Sequence, residues 1–400
     1  MDGTGAVRGA VWLTRETPSL DAFRALVEDE LRAEDVPLAA AVERNVAVYD
    51  GDRVRAVAGE GGEGLAALTA EWAWNLLHGS GVLAVRRAET DHAMLDRVTA
   101  VFEGIIGDEA AGGAGKGDHF APSGANSRVW NAHEKLGVAA PELFARYYAG
   151  DVLHAVSRAW LGPAYQITAQ VNVVRPGGRA QTCHRDYHLG FMDEGQLLGF
   201  PAHVHRLSPL LTLQGAMAHS DMPLPSGPTK LLPFSQRDEA GYVATLMPAF
   251  RDYFEERHVQ LPLEKGDALF FNPALFHAAG TNTTRDVQRF ANLFQVGSAL
   301  GRSIETVDRR RLAEAVFPAL RALQGSGALD ARGVANVVAA AAEGYAFPTN
   351  LDRDVPEDAL IPPSGQDLMS RALAEGWDDA RFREAMAAQA ARRRSHEGAA

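Results

Sequence analysis

Along the 400-residue chain the spacing of apolar positions changes twice, from helical to strand-like and back. Near the start, Thr17-Pro18 reads as a cap and first-turn pair, with Leu20, Phe23, Val27 and Leu31 following at helical spacing. Leu65–Leu77 predicts a second helix ending at Gly79-Ser80-Gly81. Val82–Val85 then predicts a short strand, and His92–Ile106 resumes the helical period. Pro141–Trp160 predicts one long helix, its stripe formed by Phe144, Tyr148, Val152, Val156 and Trp160.

From Gln166 the period becomes that of strands. The runs ITAQVNVV, QTCHRDYHLGF, LSPLLTLQGAMA, TKLLPF, ALFF and RFANLFQV are short and separated by Gly, Pro and Asn clusters. Gly241–Arg257 interrupts them as a helix. Many short strands with mixed turns predict a closed sandwich or jelly roll. After Arg302 the pattern is helical again, apart from the Pro-rich break Phe347–Gly365. The chain thus reads as α+β with a mainly β core. A helical region over 1–80 packs on a β domain over 81–302, followed by a helical extension over 303–400.

Charge narrows the function classes. A formal net charge of −12 disfavours nucleic acid or an anionic membrane as a partner. Two basic runs do not change this: Arg309–Arg311 reads as a solvated helix face, and Arg392–Arg394 as a solubilising tail. One cysteine, Cys183, excludes an internal disulfide framework and fits a reducing compartment. The opening segment has no basic start followed by an apolar run, and the longest apolar stretch, Val334–Ala342, is too short to cross a bilayer. A cytoplasmic protein is expected. The Gly-rich stretch Gly107–Arg128 is not a phosphate-binding loop, because Ala110 and Gly117 stand where that motif needs Gly and Ser/Thr. A loop of that length predicts a lid, which would bring Asn126, Arg128 and Trp130 near a substrate pocket.

The densest chemistry lies in PGGRAQTCHRDYHLGF, Pro176–Phe191. On a strand, residues two apart share a face, so His184 and Asp186 point the same way, with His188 after them, while Cys183 and Tyr187 point oppositely. Two such ligands can grip one metal ion, and a third from a neighbouring strand completes the two-histidine, one-carboxylate set of non-haem Fe(II) oxygenases. The tripeptide alone is weak evidence. With 13 histidines, roughly one His-x-Asp arises by chance, and the chain holds a second, His219-Ser-Asp221, that runs straight into a turn-rich stretch. His277 in GDALFFNPALFHAAGTN is the candidate third ligand. Arg289, twelve residues later, can bind a carboxylate through two parallel hydrogen bonds, with Arg285 in the turn as the fallback.

The ordered blocks PGGRAQTCHRD, LLTLQGAMA, SGPTKLLPFSQ, GDALFFNPALFHAAGTN and Arg289 resemble the phytanoyl-CoA dioxygenase (PhyH-like) family of Fe(II)/2-oxoglutarate-dependent oxygenases, over roughly Gly81–Arg302. The resemblance implies a double-stranded β-helix, a cupin-like jelly roll with flanking N- and C-terminal helices. It implies His184, Asp186 and His277 as iron ligands and Arg289 as the holder of the distal carboxylate of 2-oxoglutarate. Asn172, Gln170 and Gln181 match positions that contact cosubstrate or substrate. The implied cofactors are Fe(II), 2-oxoglutarate and O2, and the implied reaction is hydroxylation of a small-molecule substrate with release of succinate and CO2. Asp186 stands where a halogenase of this type carries a small residue. Pro233-Phe-Ser-Gln236 departs from the family's Pro-Gly-Ser-His, a loop variation away from the ligands. A non-oxidative metal-dependent isomerase, or a silent binding protein on the same barrel, is the alternative.

Overall fold

The computed structural model describes residues 11–112, 126–188, 190–356 and 359–396. Most of the stretch expected as a lid, 113–125, lies outside them. Ten strands form two sheets among the described residues. They are β1 (Ala41–Glu43), β2 (Val46–Asp50), β3 (Val82–Arg86), β4 (Asn126–Val129), β5 (Gln166–Val174), β6 (Thr212–Ala218), β7 (Lys230–Leu232), β8 (Ala268–Phe271), β9 (Phe276–Ala278) and β10 (Arg289–Gly297). The large sheet runs β1-β2-β3-β8-β6-β10-β5-β4, and β7 pairs with β9 in the small one.

Towards one edge of the large sheet, β5 and β10 pair antiparallel over their full lengths, Gln166 opposite Gly297 and Val174 opposite Arg289. Period-two alternation gives each strand two jobs. Ile167, Ala169, Val171 and Val173 of β5, with Phe290 and Val296 of β10, face the helices that cover the sheet. Gln170 and Asn172, with Arg289, Ala291, Leu293 and Gln295, face the interior between the two sheets. The small sheet is widened on both sides by single bridges, His184 to His277 and Leu231 to Val259. Its outer face is sealed by Phe23, Cys183, Leu232, Phe250, Phe254 and Phe276. Two layers closed over one interior make the expected double-stranded β-helix, flanked by helices at both ends of the chain. No helix among the described residues is long and apolar enough to cross a membrane.

Several expectations need correction. The segment QTCHRDYHLGF does not form a strand: His184 makes a single bridge to His277, and the Gly190 N–H closes a turn on the Tyr187 carbonyl. Residues 1–80 are not helical throughout: the hairpin β1–β2 joins the large sheet beside β3. The helix near the start spans Leu20–Val27 and is capped by Ser19, not by Thr17-Pro18, because the Ser19 side chain accepts from the Ala22 N–H. Pro141–Trp160 is two helices, Pro141–Tyr147 and Asp151–Leu161, parted at Gly150, although Phe144, Tyr148, Val152 and Val156 are all buried as the stripe requires. Gly241–Arg257 is likewise broken into Gly241–Ala244 and Pro248–Arg257, where Pro248 starts the second helix. Arg309 is no solvated residue: it donates to the carbonyls of Ile167 and Ala340, tying β5 to the helix Ala331–Ala341. Arg392 pairs at 2.8 Å with the buried Asp354 and so pins the Pro-rich break instead of floating in a tail.

Candidate active site

His277 lies in the middle of β9, and the backbones of His184 and His277 exchange both N–H···O bonds at 3.1 Å. That pairing sets the two rings side by side, centroids 4.4 Å apart. Two residues on, the Asp186 N–H donates to the Pro273 carbonyl at 3.0 Å, and the Tyr242 hydroxyl donates to the Asp186 carbonyl at 3.0 Å. Backbone anchoring therefore turns the His184 and Asp186 side chains to the same side even without a continuous ladder. One potential ligand atom from each of His184, Asp186 and His277 lies within 4.8 Å of the others.

The hydrogen bonds fix which atoms face the interior. His184 Nδ1 meets the Thr182 carbonyl at 2.8 Å, and His277 Nδ1 meets the Leu275 carbonyl at 2.8 Å. A carbonyl only accepts, so both Nδ1 atoms carry protons, which in the neutral form of an imidazole leaves Nε2 as the bare, metal-binding nitrogen. These Nε2 atoms face the Asp186 carboxylate at 3.9 and 3.7 Å. Asp186 Oδ2 accepts from the Gln214 amide, and Oδ1 is buried without a hydrogen-bond partner. Three lone-pair donors converging in this way repel one another unless a cation lies between them, and two nitrogens plus one carboxylate oxygen suit Fe(II). Burial, then His277, pushes the His184 pKa down; its side chain keeps 32% accessibility towards the cavity that it lines. For Asp186, burial alone would raise the pKa, but His277, His184 and Gln214 hold it below the ordinary carboxylate range.

The cluster borders a cavity of about 410 Å³ between the two sheets. Arg289, 6% exposed at the start of β10, lines it, has no ion pair among the described residues, and keeps Nη1 buried without a partner. Burial lowers its pKa to about 10. An uncompensated buried guanidinium is costly unless an anion meets it, so this wall suits an anionic group. Arg285 is exposed in the turn and is not part of the cavity wall.

The other sequence candidates divide. Gln170, Asn172 and Gln181 all line the cavity. Gln170 Oε1 accepts from Arg128 at 2.8 Å, and Gln181 Oε1 accepts from the Ala279 N–H at 3.2 Å, whereas Asn172 Oδ1 is buried without a partner. Of the residues near the expected lid, Arg128 reaches the cavity; Asn126 and Trp130 do not. His188 is not among the lining residues and bonds to Ser208. His219 is a structural histidine, held by Thr99 at 2.9 Å and Tyr147 at 3.0 Å. Cys183 is buried on the far side of the small sheet, and burial pushes its thiol up, which removes it as a nucleophile. Gln214 goes unmarked in the sequence reading, although its signal is present: an amide inside the apolar run LLTLQGAMA. Phe234, at the position of the family's glycine, has φ of +68°, a conformation that glycine adopts more easily, and its ring is buried under the Arg237 guanidinium.

Solved structures that match the chain include the α-ketoglutarate-dependent epimerase SnoN from nogalamycin biosynthesis, with 17% identity over 59% of this chain and 81% of that one and a TM-score of 0.40. The carbocyclase SnoK from the same biosynthesis matches at 18% identity, 60% and 86% coverage and a TM-score of 0.41. HygX from Streptomyces hygroscopicus, with nickel and 2-oxoglutarate bound, matches at 15%, 57% and 87%, with a TM-score of 0.38. Among curated proteins no sequence matches. Residues 77–291, more than half of the chain, match the phytanoyl-CoA dioxygenase (PhyH) family. That match takes in His184, Asp186, His277 and Arg289 together with β3 to β9, and on it the chain belongs to the phytanoyl-CoA dioxygenase (PhyH) family.

Proposed function

We propose that the chain is an Fe(II)/2-oxoglutarate-dependent dioxygenase that hydroxylates a small molecule, with His184, Asp186 and His277 as the metal ligands and Arg289 as the anchor of the 2-oxoglutarate tail. The observation that carries this reading is the convergence of two Nε2 atoms on the Asp186 carboxylate, His184 at 3.9 Å from Oδ1 and His277 at 3.7 Å from Oδ2, with Oδ1 buried and without a hydrogen-bond partner. When bound, Fe(II) would activate O2, and 2-oxoglutarate would supply two of the electrons that reduce it, leaving as succinate and CO2. The chain's own residues do the rest. The Thr182 and Leu275 carbonyls keep both rings in one tautomer, and the paired backbones of β9 and the His184 segment keep them at one spacing. Arg289 selects a dicarboxylate through charge-assisted bonds. Asn172, open at Oδ1, is assigned to cosubstrate or substrate, with Gln170 and Gln181 shaping the wall beside it.

Anaerobic Fe(II) plus 2-oxoglutarate should give the visible charge-transfer band of the chelate, and His184→Ala should abolish it. Metal-loaded wild-type protein with no band sinks the reading. A band with no succinate release across a broad metabolite screen favours an isomerase or a silent binder instead. A charge-assisted bond contributes about 1.5–3 kcal/mol, so Arg289→Ala should raise the 2-oxoglutarate requirement roughly ten- to a hundred-fold. The exposed Arg285→Ala should leave it unchanged, and equal effects of the two would refute the assignment.

A further inference from the structure

We infer that Gln214 is a positioning residue for Asp186, setting which carboxylate oxygen is offered to the metal; this rests on the metal-centre reading above. Gln214 lies on β6 in the large sheet, whereas the three clustered residues belong to the opposite layer. It is 6% exposed, lines the cavity, and its register neighbours are Phe271 on β8 and Gln295 on β10. Its Nε2 donates to Asp186 Oδ2. The amide cannot be turned over, because Oε1 would then face a carboxylate oxygen at contact distance.

In the orientation that remains, Oε1 is itself buried with no partner. A residue present only to fill the wall would not leave an amide oxygen unsatisfied there, since an apolar side chain of the same length fills the space without that penalty. The amide is held for its N–H. With Oδ2 occupied by the Gln214 amide, Oδ1 is the carboxylate atom left without a hydrogen-bond partner; it faces His184 Nε2 at 3.9 Å, while His277 Nε2 lies 3.7 Å from Oδ2. Phe271 supports the same geometry from below: its ring lies 4.8 Å from that of His277. The large sheet therefore contributes both a donor to the carboxylate and a ring against one imidazole.

Cobalt(II) titration of the full chain, followed by its visible ligand-field bands, tests this without turnover. Gln214→Met keeps length and removes the donor; Gln214→Asn keeps the amide but is one methylene short of Oδ2. Loss of an outer-shell partner typically weakens metal affinity by about 10–100-fold. Both variants should show that loss and altered band intensity, with a urea midpoint for the metal-free protein close to wild type. Because either variant alone reports the missing donor, one that fails to fold leaves the other to decide. Wild-type affinity and spectrum in a folded variant would overturn the role of Gln214 and leave the metal centre standing. A wild-type protein that binds no cobalt would overturn the metal centre itself, and the role of Gln214 with it.

Discussion

Arg185 lies between two of the clustered residues in sequence and points the opposite way. It is buried, its guanidinium donates to the carbonyls of Ser235 and Asp238, and it lies 5.3 Å from the Tyr242 ring and 5.1 Å from that of Phe276. Gly241 makes room for it: a Cβ there would fall 1.9 Å from the Arg185 Cζ. Burial lowers the pKa of this arginine, a sign that the charge is held by hydrogen bonds and ring faces rather than by water. The same Tyr242 donates to the Asp186 carbonyl, so Arg185 holds the His-x-Asp segment from behind. Arg185→Met should therefore remove the charged hydrogen bonds to the Ser235 and Asp238 carbonyls and lower unfolding free energy by about 2–4 kcal/mol in urea. A change under about 0.5 kcal/mol would show that the pin is dispensable.

How far the elements could be read from the sequence followed how local their signals were. β5, β6, β8 and β10 announce themselves as apolar runs between turn residues, and each forms where expected. The hairpin β1–β2 does not, because its two-residue turn is Arg44-Asn45, at φ of +53° and +65°, where the usual sequence marker is a glycine. β4 emerges directly from the Gly-rich stretch and owes its form to pairing with β5, a non-local cause invisible in four residues. The opposite error occurs at QTCHRDYHLGF, where alternation is real but the ladder is reduced to one bridge. Its side-chain directions were nonetheless legible, since extended backbone alternates whether or not it is paired. Hence the grouping of His184, Asp186 and His277 around a cavity that Arg289 also lines was legible from spacing, order and the family resemblance, while the contacts of Gln214 and Arg185, across 28 and 50 residues of chain, were not. The basic run at Arg309 misled for the same reason, because its acceptors lie on β5 and on the next helix.

Across the whole molecule, resistance to acid is set by histidines enclosed without a carboxylate. His133 bonds the Ala340 carbonyl, His154 bonds Tyr165 and the Tyr148 carbonyl, and His219 bonds Thr99 and Tyr147, so each stitches a helix to its neighbour. Burial pushes all three below the ordinary histidine value, His154 to about 4 and His219 to about 3. In the unfolded chain they take up protons near pH 6.5. Between there and about pH 4 the unfolded state holds the extra protons, so stability is complete above pH 6.5 and falls on acidification. Each histidine contributes about 1.4 kcal/mol per pH unit in that window, roughly 4 for the three. Glu305 works the other way, because burial raises it to about 7 and its folded form keeps a proton that the unfolded chain has released. Its contribution grows as the pH drops from 7 towards 4.5, by about 1.4 kcal/mol per unit, and Asp238, raised by burial, adds in the same direction nearer to its ordinary value. These three against Glu305 leave a net loss of roughly 2–3 kcal/mol per pH unit between pH 6 and 5, a large share of the typical stability of about 5–15 kcal/mol. His184, His188 and His205, which burial also pushes down, add in the same direction. Urea melts of the metal-free chain should therefore vary little from pH 8 to 7 and weaken steeply below 6.5. In His154→Gln, which keeps polar contacts but does not titrate, the slope should flatten by about 1.4 kcal/mol per unit. A slope unchanged by that substitution, or a protein that gains stability between pH 6 and 5, would contradict the account.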